Sequence, residues 1–167
     1  MNIKLFPVLI FFLLLFSCGV NSQPRWEKLE YYYNVGSLPP PYHYSYKIII
    51  TNDGIVDFEY LSGYVKTDSN LKKYNFTLTS ADLKSLKKAV KESNVLNLKI
   101  EMRPNDEIPD GGHSESLEIF DSDGEKISSV PSYPELKYQK KLEKLYKAIQ
   151  NCVPENIWNE VRSLHKD

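Results

Sequence analysis

Two alternating stretches around one turn signal constrain this chain most. Tyr42, Tyr44, Tyr46, Ile48 and Ile50 alternate with His43, Ser45, Lys47 and Ile49, which is the period of a strand. Asn52-Asp53-Gly54 follows and predicts a hairpin. The loop length decides which side chains meet, because a one-residue slip exchanges every cross-strand partner. A two-residue Asp53-Gly54 loop sets Ile50 against Asp57 and Ile48 against Glu59, which wastes the apolar face. A three-residue loop with Gly54 left-handed pairs Ile50 with Val56, Ile48 with Phe58 and Tyr46 with Tyr60, and on the other face Lys47 with Glu59. The three-residue loop is therefore expected.

The remaining elements follow the same kind of signal. Tyr74, Phe76 and Leu78 predict a strand over 73–78 after the polar loop around Lys66 to Lys73. Thr79-Ser80-Ala81-Asp82 resembles a capping box, and Leu83, Leu86 and Val90 form one apolar helical stripe, so a helix is expected near 80–94. A charged, proline-bearing loop leads to a second hairpin over 115–130 across Ser122-Asp123-Gly124. Its register stays open. Two loop residues pair Phe120 with Ile127 and Leu117 with Val130; three pair Ile119 with Ile127 but set Asp121 beside Glu125. Tyr138, Leu142, Leu145, Ile149 and Cys152 step by four and three along one face of a helix near 134–152. Pro154 then suits the first turn of a short helix near 154–165 carrying Ile157, Trp158, Val161 and Leu164. Strands followed by helices in this order predict an α+β fold: an antiparallel sheet of about five strands, packed by two helices and a short third.

The amino terminus is of a different kind. Lys4 precedes an almost unbroken apolar run, Leu5 to Phe16, which has the layout of a secretory signal peptide. About a dozen residues fall short of the roughly 20 that a membrane-spanning helix needs, and Pro7 weakens that reading further. Leu15-Phe16-Ser17-Cys18-Gly19 resembles the lipobox of bacterial lipoproteins, an aliphatic residue, then a small one before cysteine, although Phe16 is bulkier than usual. The resemblance implies a diacylglycerol on the Cys18 thiol, cleavage before Cys18 and acylation of the new terminus, together a membrane anchor. The alternative is an ordinary secretory leader with an incidental cysteine. Removal of residues 1–17 takes away Lys4 and no acid, which leaves 20 basic against 22 acidic residues and a net charge of −2. Neither that balance nor any basic run points to nucleic acid.

The resulting layout is a signal peptide over 1–17, a lipidated tether with an extended Tyr/Pro segment over 18–41, and one α+β domain over 42–167. Tyr31-Tyr32-Tyr33 and Pro39-Pro40-Pro41 show no helical or strand period, and the prolines favour polyproline II. The run Ser45 to Gly63, the helix start Thr79 to Leu86, Asp123-Gly124 and the Leu142 to Tyr146 helix resemble an uncharacterised group of bacterial lipoproteins. The resemblance covers most of residues 42–150, implies the fold and transfers no activity.

Candidate chemistry is sparse. His43, His113 and His165 lack the short spacings of a zinc site, so no metal or other cofactor is expected. His113 beside Ser114 and near Asp110 has the residue types of a hydrolytic triad, but sequence neighbours rarely converge and no Gly-x-Ser-x-Gly elbow exists; no catalytic residue is assigned. Asp121-Ser122-Asp123-Gly124-Glu125 lacks the twelve-residue calcium pattern and reads as a turn, and Asp106, Glu107 and Asp110 as a solvated acidic loop. With Cys18 lipidated, Cys152 has no disulfide partner and falls on an apolar stripe, as a buried structural thiol does. Six of the 12 tyrosines lie between Tyr31 and Tyr46. Tyr42, Tyr44 and Tyr46 share a strand face and read as core. Tyr31, Tyr32 and Tyr33 are the candidate binding surface, since tyrosine offers a flat apolar face and a hydroxyl to a glycan or a protein partner. These features imply a non-enzymatic binding module on a lipid anchor in the bacterial cell envelope, on the outer membrane facing the periplasm where two membranes exist. The alternatives are an accessory envelope lipoprotein, or a cell-wall hydrolase or its inhibitor.

Overall fold

The structure, a computed structural model, describes residues 25–164. The leader, Cys18 and His165 lie outside the described residues. Six strands form one antiparallel sheet: β1 (Lys28–Asn34), β2 (Tyr44–Thr51), β3 (Ile55–Ser62), β4 (Leu71–Thr77), β5 (Ser114–Phe120) and β6 (Lys126–Val130). Their spatial order is β4-β3-β2-β1-β5-β6. Three helices, α1 (Ser80–Ser93), α2 (Gln139–Gln150) and α3 (Glu155–Ser163), complete the α+β architecture. Among the described residues no helix is long and apolar enough to cross a membrane.

The first hairpin has the three-residue loop. Ile50 pairs with Val56, Ile48 with Phe58, Tyr46 with Tyr60 and Lys47 with Glu59. Gly54 takes φ +97°, the left-handed conformation that lets its amide donate to the Thr51 carbonyl at 2.9 Å. The second hairpin uses both registers. Leu117 pairs with Val130 and Ile119 with Ser128, then a bulge at Ile127 shifts the ladder so that Phe120 meets Lys126. Asp121 can therefore sit beside Glu125, because its carboxylate accepts the amides of Asp123 and Glu125, at 3.0 and 2.9 Å, and closes the turn.

Three expectations need correction. The sheet has six strands, since residues 28–34, placed above in an extended tether, form β1 between β2 and β5. Lys28-Leu29-Glu30-Tyr31 alternates polar and apolar, but three consecutive tyrosines hide the phase by putting one residue type on both faces. The folded unit thus starts before residue 42, with Trp26 already buried. Pro40–Tyr42 is a 3-10 turn that carries the chain from β1 back to β2, not a polyproline spacer. The helix expected from 134 starts at Gln139, because Pro134 bridges to Met102 and Leu136–Tyr138 is a 3-10 turn.

The sheet's helix-covered face is built in cross-strand rows. Val56, Ile50, Leu29 and Ile119 form one; Phe58, Ile48, Tyr31 and Leu117 form the next, and all eight are fully buried. Against them pack Leu86 and Val90 of α1, Leu142, Leu145, Tyr146 and Ile149 of α2, and Ile157 and Val161 of α3. Cys152 is buried beside them, and burial pushes its thiol up to about 12. Thr79 caps α1 by accepting the Asp82 amide at 3.2 Å while its hydroxyl donates to the Asp82 carboxylate. The third row, Tyr60, Tyr46, Tyr33 and Glu115, lies at the edge of the helix layer.

Candidate functional site

That third row floors a groove of about 770 Å³, walled by His113, Tyr42 and Tyr44 on one side and by Gln150, Pro154, Trp158 and Arg162 on the other. The strands set the spacing of the row. Tyr33 stacks on Tyr46 with ring centroids 4.7 Å apart and planes 10° apart, on Tyr44 at 5.8 Å and 15°, and on His113 at 5.4 Å and 15°. Tyr44 stacks in turn on Tyr60 at 5.5 Å. Rings this close cover one another's faces, so the row offers mainly edges and hydroxyls to the groove. Trp158 stands edge-on to Tyr46 and Phe58, at 5.0 and 5.1 Å, with its indole NH held by the Gln150 carbonyl. Arg162 lies over the indole and pairs with Glu155 at 2.9 Å.

A polar cluster lies beneath the row. The Tyr31 hydroxyl donates to Glu115 Oε1 at 2.5 Å, and the Gln150 amide nitrogen is within 2.7 Å of the Tyr31 hydroxyl, 3.1 Å of the Tyr46 hydroxyl and 3.2 Å of Glu115 Oε1. Glu115 is in phase with Leu117 and Ile119, so strand alternation carries its carboxylate to the covered face. Its side chain is 19% exposed. Burial raises the Tyr31 and Tyr46 hydroxyls far above the ordinary tyrosine range; nearby Glu115 adds to both, as does Tyr46 for Tyr31. Burial likewise raises Tyr33 and Tyr60. These phenols therefore stay protonated and able to donate at any physiological pH.

The three tyrosines expected as one exposed patch separate. Tyr31 is fully buried under the groove, Tyr33 lines it, and Tyr32 points to the opposite face, where its hydroxyl donates to Glu30 at 2.7 Å. Alternation along β1 makes this unavoidable. Tyr44 and Tyr46, read as core, join the groove, and Tyr42 is exposed at its mouth. His113 lies 3.7 Å from Glu115 and lines the groove, but Asp110 and Ser114 do not; Ser114 opens on the opposite face. The groove lining contains no serine, threonine or cysteine. His43 is buried against Tyr64, its ring nitrogen 3.0 Å from the Gly63 carbonyl. Asp106 and Glu107 sit in an exposed 3-10 turn. Among the described residues no group of three or more His, Cys, Asp or Glu side chains could hold a metal ion.

Sequence reasoning missed Glu115, Gln150 and Trp158 as a group, because they lie on three elements. One signal was present: Glu115 is a charge on the apolar phase of its strand. No family model matches the chain, and no curated protein matches it.

Proposed function

We propose that this chain is a lipid-anchored cell-envelope module that holds a small organic ligand in the groove over Tyr33 and Glu115, without catalysing a reaction on it. The groove itself supports the reading: an aromatic, partly enclosed space with a few convergent polar groups is the usual form of a ligand site. Its lining offers hydrogen-bond donors and one enclosed carboxylate, but no hydroxyl or thiol nucleophile of the kind acyl transfer uses. The anchor rests on Leu15-Phe16-Ser17-Cys18-Gly19 and the apolar run before it.

The two halves of the reading are tested separately. Cys18→Ala is expected to leave the membrane fraction after a high-salt wash; continued fractionation with membranes counts against a lipid anchor. For the groove, the protein without its leader is incubated with small-molecule extracts of bacterial envelopes and analysed by native mass spectrometry. A retained adduct that is lost in both Tyr33→Ala and Trp158→Ala places the ligand in the groove, whereas an adduct retained equally by both variants moves the site elsewhere.

A further inference from the structure

The sheet has four glutamates, and one of them is treated differently. Glu30 is bound by Lys28 and Lys47, both at 2.7 Å, Glu59 by Lys73 at 2.6 Å and Glu118 by Lys126 at 2.9 Å. Those three lie on the face away from the helices. Glu115 lies on the helix-covered face and is more enclosed than Glu59 or Glu118. Yet no lysine or arginine among the described residues comes within ion-pair distance of it. Its bonded donors, the Tyr31 hydroxyl and the Gln150 amide, are neutral, and its nearest cationic candidate is His113 at 3.7 Å, too far for a hydrogen bond. Arg162, which also lines the groove, is already paired with Glu155. A half-enclosed carboxylate without a fixed counter-ion makes the groove attractive to positive charge.

Resting on the reading of this groove as a ligand site, we propose that its ligand carries an organic ammonium group, which binds against the Glu115 carboxylate between Tyr33 and Trp158. A metal ion fits worse, since Glu115 has only His113 beside it as a second ligand of the usual kinds, the groove's other carboxylate, Glu155, is paired with Arg162, and no three His, Cys, Asp or Glu side chains among the described residues converge. An ammonium group fits better. Its N–H groups suit the Glu115 oxygen that faces His113 and the hydroxyl oxygens of the row, while its carbon substituents lie against the apolar ring edges that the row presents. The charge is answered by the carboxylate, and no proton transfer or bond change is required. Such a group occurs on alkylamines and on unacetylated amino sugars.

The test uses four probes with the leaderless protein: n-butylammonium against 1-butanol, and glucosamine against N-acetylglucosamine. Binding is read from Trp158 fluorescence, with Trp26 buried elsewhere in the core as a steady background, and from the ring protons of Tyr33 and His113 by NMR. The expected result is that one or both ammonium probes bind at the groove and their neutral twins do not. Glu115→Gln, which keeps the acceptor for Tyr31, is expected to weaken ammonium binding at least tenfold. The preferred ammonium probe identifies the source. Neutral twins that bind as well as the ammonium probes, with E115Q unchanged, overturn the ammonium assignment and leave the groove standing as a ligand site. Absence of binding by either ammonium probe also overturns it, and the envelope adduct experiment then decides the groove by itself. If E115Q does not fold, the wild-type protein is titrated at rising ionic strength: ammonium affinity that falls with salt supports the ion pair, and salt-independent affinity sinks it.

Discussion

Tyr31 joins the core to the site. Its ring is buried between Tyr46 and Tyr146, with centroids 6.1 and 5.2 Å away, while its hydroxyl holds both Glu115 and Gln150. Tyr31→Phe keeps the packing and removes one donor to a half-buried carboxylate, so it is expected to cost about 1–3 kcal/mol. Urea unfolding measures this, and a midpoint equal to wild type would show the hydroxyl to be dispensable. The same change frees the Glu115 side chain to turn, so the Tyr33–His113 stack is expected to loosen as well. From sequence, Tyr31 looked like a surface residue because its neighbours Tyr32 and Tyr33 are identical to it. Only pairing with β2 and β5 puts Tyr32 on the open face and Tyr31 and Tyr33 on the covered one, and only the position of the helices buries Tyr31 and leaves Tyr33 lining the groove.

At the scale of elements, the loop that carries His113 is held by a contact between two glycines. A Cβ on Gly36 would lie 2.0 Å from the Gly112 carbonyl oxygen, and Gly36 is at φ +90°. Gly36→Ala is therefore strained twice, in its own conformation and against backbone that cannot rotate away. The expected outcome is a loss of roughly 1–3 kcal/mol together with displacement of His113 from Tyr33. The His113 ring protons would then lose the upfield shift caused by the stacked phenol; an unchanged shift would show that the 105–113 loop adapts without moving the histidine. Hairpins were more legible than this loop. Asn52-Asp53-Gly54 and the apolar pattern around it specify one register locally. Between β5 and β6 two registers compete, and the bulge at Ile127 satisfies the apolar pairing at one end and the Asp121 turn at the other.

For the whole molecule, the open face of the sheet carries a dependence on pH. On the open face, burial opposes ionisation of Glu30, but hydrogen bonds from Lys28, Lys47 and Tyr32 outweigh it and hold the carboxyl at about 2. A carboxyl lower in the folded than in the unfolded chain stabilises the fold above the unfolded value, near 4.5, and loses that contribution as pH falls through about 2. Wild-type stability should therefore fall by up to about 3 kcal/mol more than that of Glu30→Gln between about pH 5 and 2, measured by urea midpoints at each pH. Parallel curves would remove Glu30 from the acid transition. Neighbouring residues settle among themselves the Gly54 hairpin, the Thr79 cap, the amphipathic stripes of α1 and α2, and the α+β order that follows from them, and all of these are legible in the chain. Which strand lies in the middle of the sheet, and what gathers around it, is settled by long-range packing instead. β1 pairs with β5 across the intervening residues 35–113, and the groove takes Tyr33, Glu115 and Trp158 from three distant segments. Local pattern carries no record of such closures, because their free energy comes from the shared burial of rows that form only when the whole sheet and its helices have assembled.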